Sequence, residues 1–169
     1  MAYADPNYDP KKAHEYYEKH KKLKGKRSTK GFSDTQKEQW AYAKDQLKEQ
    51  HKANNADIAD WKKAQMTAAS ENTKKIKEQL TQKASAQVVA LREKLKNMPK
   101  EQKAEMREKI QGVISNIRAS VKAQKTQATE KGKEVKADVK ETATSLKESE
   151  KANYEAKIDE AYNRIKGAG

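Results

Sequence analysis

The chain has 169 residues, a formal net charge of +13, 37% charged and only 34% apolar residues, and no cysteine. Apolar content well below the ~45–50% of an ordinary domain argues against a compact globule with a thick core. The missing cysteines exclude disulfides, thiolate metal sites and thiol nucleophiles, and the positive charge favours acidic surfaces, nucleic acid or anionic membrane as partners.

Met1 to Asn7 reads as a loose tail. Asp9 as N-cap and Pro10 at the first helical position open a helix, Lys11 to Lys24, that Gly25 stops. Lys11 to Lys30 holds nine basic residues against two acidic ones, and Gly25 to Gly31 reads as a basic, flexible loop. Ser33 and Gln36 form a capping box for a second helix, with Phe32 placed to staple onto its first turn. Trp40, Ala43 and Leu47, then Ile58, Trp61 and Ala64, mark the buried face. Asn54-Asn55 is a weak breaker that at most bends this helix. Ala64 to Thr73 is small and polar, and is expected to pack poorly.

The stretch organising the chain is Ile76 to Val121. Ile76, Leu80, Ala84, Val88, Leu91, Leu95 and Met98, then Met106, Ile110, Val113, Ile117 and Val121, recur at three- and four-residue steps, one narrow apolar seam on a helix otherwise covered by Lys, Glu, Gln and Arg. So narrow a seam needs a second helix beside it. Pro99 interrupts it, having no amide hydrogen and clashing with the preceding turn. Two helices of about twenty-odd residues, each roughly 30 Å long, would flank the break as a hairpin. A kinked continuous helix paired with a second molecule is the alternative.

From Gln124 the stripe thins to Ala128, Val135, Val139, Thr142 and Leu146, and six basic residues balance six acidic ones between Lys125 and Glu150. Tyr154, Ile158, Tyr162 and Ile165 then form a short docking stripe, and Gly167 to Gly169 a frayed end. The division is 1–31, a basic segment with one short helix; 32–75, helical; 76–123, the amphipathic hairpin; and 124–169, a charged but neutral-overall helical tail.

No catalytic motif is present. Gly25-Lys26-Arg27-Ser28 lacks the upstream glycine and the preceding strand of a phosphate loop. His14, His20 and His51 form no pair at metal-ligand spacing, and each carboxylate has a lysine nearby at helical spacing, so nothing shifts one towards acid–base work. The sequence points to no enzyme, no cofactor, no metal and no small-molecule substrate. The binding candidates are Lys11, Lys12, Lys19, Lys21, Lys22, Lys24, Lys26, Arg27 and Lys30, as contacts for phosphates or an acidic partner, with Tyr16 and Tyr17 for stacking or docking. No apolar run reaches the ~18 residues needed to span a bilayer, and Met1 to Lys12 carries no secretory signal. The seam is too narrow for a membrane surface.

Tyr8-Asp9-Pro10-Lys11-Lys12-Ala13-His14-Glu15-Tyr16-Tyr17-Glu18, followed by Leu23-Lys24-Gly25-Lys26 and Ser28-Thr29-Lys30-Gly31-Phe32-Ser33, resembles the N-terminus of small helical proteins encoded among tailed-bacteriophage structural genes. The resemblance covers about a quarter of the chain. It implies a virion or assembly component, located in the virion or the host cytoplasm. Thr129 to Lys151 resembles late-embryogenesis-abundant proteins in composition, though no eleven-residue repeat can be traced there.

The expected fold is all-α: long amphipathic helices, a hairpin or coiled coil around the proline break, and flexible termini. The expected function is a non-enzymatic structural or assembly protein, with helix–helix packing, a basic docking arm and a protein partner or self-association. The alternative is sequence-independent nucleic-acid binding by charge neutralisation.

Overall fold

A computed structural model describes residues 27–168, together with Lys11, Lys12 and Glu15, which are helical and exposed. The fold is all-α. Helix α1 spans Asp34–Lys96 (63 residues) and helix α2 Lys100–Gly167 (68 residues). Both are far longer than the twenty-odd residues expected beside Pro99, because neither contains a proline. Asn54-Asn55 does not bend α1 into two; the Asn54 amide donates to Glu150 on α2 at 3.0 Å, so the side chain ties the helices together rather than competing with the backbone.

The start of α1 is capped as its sequence dictates. Ser33 N–H donates to Gln36 Oε1 (2.8 Å) and Gln36 N–H to Ser33 Oγ (3.2 Å). The same Gln36 donates its amide at 3.0 Å to the Ile165 carbonyl in the last turns of α2, which also accepts from Ala168 N–H at 3.3 Å. Phe32 does not staple onto the first turn of α1; it stacks on Tyr162 with ring centroids 5.7 Å apart. At the other end α1 stops at Lys96, since Pro99 disfavours helical backbone at Met98. The Pro99 carbonyl then accepts from Gln102 (3.1 Å) and Lys103 (3.2 Å) and opens α2. The hairpin is therefore present, and the kinked continuous helix is not.

Contacts divide the chain into two compact units, Met1–Ala64 with Val139–Gly169, and Gln65–Asp138. These boundaries differ from the four-part division read from the sequence. In the unit Gln65–Asp138, Val88, Ile110 and Ile114 are buried, with Leu91, Leu95 and Ile117 packed against them. Leu80, Met106 and Val121 are half-buried along the same seam. Val113, expected in the seam, is 45% exposed and Ile114 takes its place. A period of 3.6 admits either a three- or a four-residue step after Ile110, and the facing helix selects the four. Ile76 also falls at the edge, 38% exposed.

In the unit Met1–Ala64 with Val139–Gly169, Trp40, Ile158, Ala161, Tyr162 and Ile165 form a cluster, with Phe32, Ala43, Leu47 and Tyr154 against it. Trp40 meets Tyr162 edge to face at 5.3 Å. Each large apolar side chain fully buried here is worth about 1.5–3 kcal/mol. The stretch 124–169 is thus no tail: its second half docks the aromatic stripe onto the first turns of α1.

The buried positions of both helices recur every eleven residues. On α1, Leu47, Ile58, Ala69, Leu80 and Leu91 are buried or half-buried, as are Trp40, His51, Lys62, Thr73, Ala84 and Leu95. On α2 the series Met106, Ile117, Ala128, Val139, Glu150 and Ala161 runs beside Ile110, Val121, Gly132, Ala143, Tyr154 and Ile165. This spacing is that of three helical turns, about 10.8 residues, and it runs through Thr129 to Lys151 without a matching repeat of residue types. The spacing passes through glycine, alanine, threonine and glutamate as well as large apolar residues. Its ~3.67 residues per turn lie close to the 3.6 of a straight helix, unlike the seven-residue repeat of a left-handed coiled coil.

Candidate interaction surfaces

Polar groups in the first unit are joined to one another. The Arg27 guanidinium donates from Nε to Asp159 Oδ1 at 2.6 Å and from Nη2 to Glu155 Oε2 at 3.1 Å. Both carboxylates are buried, and α2 presents them on the same face as Tyr162, whose hydroxyl donates to the Ser28 carbonyl at 2.6 Å. A few residues along, Glu150 Oε1 accepts from the Asn54 amide and lies 3.2 Å from His51 Nδ1. The His51 ring stacks on Tyr154 at 4.3 Å. Each group is held by a partner on the other helix or in the segment before α1. This arrangement fastens; it offers no paired acid and base facing an enclosed cavity. Among the described residues no group of three or more His, Asp or Glu could hold a metal ion.

The predicted basic block is only partly within view. Lys19, Lys21, Lys22, Lys24, Lys26, Tyr16 and Tyr17 lie outside the described residues, as does most of the stretch carrying the phage resemblance. Lys11 and Lys12 are exposed, and Lys30 is exposed in the turn before α1. Arg27 differs from the expectation: its side chain is 17% exposed and bound to two carboxylates of its own chain. A charge already neutralised within the chain has little to offer an outside anion.

The unit Gln65–Asp138 carries a basic surface that the sequence reading did not single out. A groove of about 630 Å3 runs between the two helices, with Lys77 and Arg92 on the α1 wall and Arg118, Lys122 and Lys125 on the α2 wall. It continues past Arg92 and Arg118 into a second depression that adds Arg107. No Asp or Glu lines either depression. Among the described residues, none of these six cations is in an ion pair. The floor is Ala84, Val88 and Val121, and the Thr81, Thr126 and Thr129 hydroxyls on the walls donate to carbonyls of their own helices.

The cause is a pair of gaps. Residues 79–92 and 109–129 contain no Asp or Glu, although the whole chain has 25. The turn at Pro99 folds these windows against each other, so two modest local features become one carboxylate-free band. The gaps are visible in the sequence; that they coincide is a property of the hairpin register.

No family model, no curated protein and no solved structure matches this chain. Its function is argued from its own residues.

Proposed function

We propose that the chain is a non-enzymatic structural or assembly protein, of the virion or morphogenesis kind that its N-terminal resemblance implies, working through helix–helix contacts with further copies of itself. The observation carrying this reading is the recurrence of buried positions every eleven residues along both helices. Burial recurring in this way makes each unit a pair of packed helices, an element that suits an assembly. The reactive side chains support the same reading, because His51 and Glu150 hold one helix to the other, and Glu155 and Asp159 hold α2 to Arg27 in the segment before α1. Apolar surface for contact remains on the second unit: Ile76 (38% exposed) and Val135 (48% exposed) line a groove with Leu80, Ala69 and Ala128. Helical phase sets these residues on the other side of the seam from the basic groove.

Sedimentation velocity of the full chain, at about 150 mM and about 500 mM salt, tests the proposal, because the higher salt screens surface charge and leaves apolar contacts in place. A discrete oligomer present at both salts is the expected result. A monomer across the whole accessible concentration range would remove the assembly reading.

A further inference from the structure

We infer that the carboxylate-free groove of the unit Gln65–Asp138 is a binding site for the phosphate backbone of nucleic acid, read without regard to sequence. The inference is independent of the assembly reading, since it rests on the lining of the groove within a single chain.

Charge is the first argument. Lys77, Arg92, Arg107, Arg118, Lys122 and Lys125 face one continuous depression, and none has an internal counter-ion among the described residues. Two other lysines of these helices are paired at helical spacing, Lys109 with Glu105 and Lys133 with Glu130, and neither lines the groove. What sets the groove apart is that its six cations face one depression with no carboxylate in the lining. Uncompensated like charges along two walls repel one another, and an anion seated between them relieves that repulsion.

Residue type is the second. Three of the chain's five arginines, Arg92, Arg107 and Arg118, stand here. The guanidinium fork matches phosphate oxygens two at a time, which an ammonium does not.

Dimension is the third. Lys77 to Arg92 spans fifteen residues of α1, or about 22 Å at 1.5 Å per residue. Along one strand of a duplex that length carries about six phosphates at 3.4 Å each, enough to meet the five cations along it, with Arg107 just past Arg92.

Other polyanions fit less well. A bilayer cannot enter a depression between two helices, and no aromatic residue lines the groove to anchor one. An acidic peptide lacks the fixed spacing of phosphates. The same lack of aromatic side chains leaves no platform for stacking unpaired bases, so the groove fits the outside of a duplex rather than splayed single strands. Contacts confined to phosphate position the protein without reading bases.

The test is fluorescence anisotropy with a short random-sequence DNA duplex as probe, using the full chain across a salt series. The wild-type chain should bind with log K falling against log salt at a slope near −5, from about 0.9 per phosphate for six phosphates. The triple variant Arg92→Gln, Arg118→Gln and Lys122→Gln changes exposed side chains outside the seam and should keep its circular dichroism. It should bind about tenfold or more weakly at about 100 mM salt, with the slope reduced to near −3. A second variant, Lys19→Gln, Lys21→Gln and Lys22→Gln, alters the N-terminal block instead. The inference fails if the groove variant keeps wild-type affinity and slope while the block variant loses them. It fails equally if the wild-type chain does not bind duplex at low salt, or if polyglutamate of matched charge displaces the duplex as well as unlabelled DNA does.

Discussion

Two glycines on the same helix show how far a residue's role depends on what faces it. Gly112 has open space around it, whereas a Cβ on Gly132 would run into the Thr73 hydroxyl across the seam. That hydroxyl donates to the Ala69 carbonyl at 3.0 Å, so it cannot turn away without losing a hydrogen bond. Gly112→Ala should therefore stabilise by roughly 0.8–1 kcal/mol, the helix-propensity difference between the two residues. Gly132→Ala should forfeit that gain, and a Thr73→Ala background should restore it. Urea melts of the single and double variants measure all three. Arg27 makes the same point for charge. In the sequence it is one more member of a basic run, and only the proximity of Glu155 and Asp159, more than a hundred residues away, makes it a clamp.

The seam is the feature of the two helices that the sequence displayed best. Val88, Leu91, Leu95, Ile110 and Ile117 were all legible, because large aliphatic residues among lysines and glutamates stand out at helical spacing. Its continuation was legible only in part: Ala128 and Val139 were read in the thinning stripe and are buried, whereas Ala69, Ala143 and Gly132, small residues with no apolar period, were not. Ile110 is 5% exposed in the thick part of the seam. Ile110→Asp should lower stability by several kcal/mol, an unpaired charge having been placed where water is excluded. Thermal melting followed by circular dichroism reads the change, and an unaltered midpoint would mean that this position tolerates a charge. Helix ends were read correctly where a specific side chain marks them: the Ser33–Gln36 box and Pro99. The long interior, where the chain only had to go on being helical, was divided too often.

For the whole molecule, each unit has its own apolar cluster, and the quality of packing varies within a unit. In Gln65–Asp138 the large side chains gather at Val88, Ile110 and Ile114, while the rest of its seam narrows to Ala69, Ala128 and Gly132. Amide exchange should follow that gradient, since local opening is easiest where little apolar surface is buried. Peptides covering 84–95 and 106–117 should be the slowest to exchange in that unit, and those covering 65–76 and 124–135 distinctly faster. Mass spectrometry of deuterium uptake resolves the two sets, and uniform protection would contradict the gradient. Charge is uneven in the same way: carboxylates are absent from one band of a chain that is otherwise mixed, and the hairpin places the two halves of that band together.

The amino-acid sequence by itself determined that this protein is helical, where its first long helix is capped, where the chain must turn and which large residues line the thickest seam. Those features depend on local chemistry: backbone capping, the missing amide of proline and the 3.6-residue period. The tertiary structure alone decided that Arg27 is neutralised, that Ile114 rather than Val113 faces inward, that a run of small residues goes on facing the other helix, and that two carboxylate-free windows make one basic groove. Each of these depends on which residues face one another within a unit, and residues far apart in the chain are brought together only by packing.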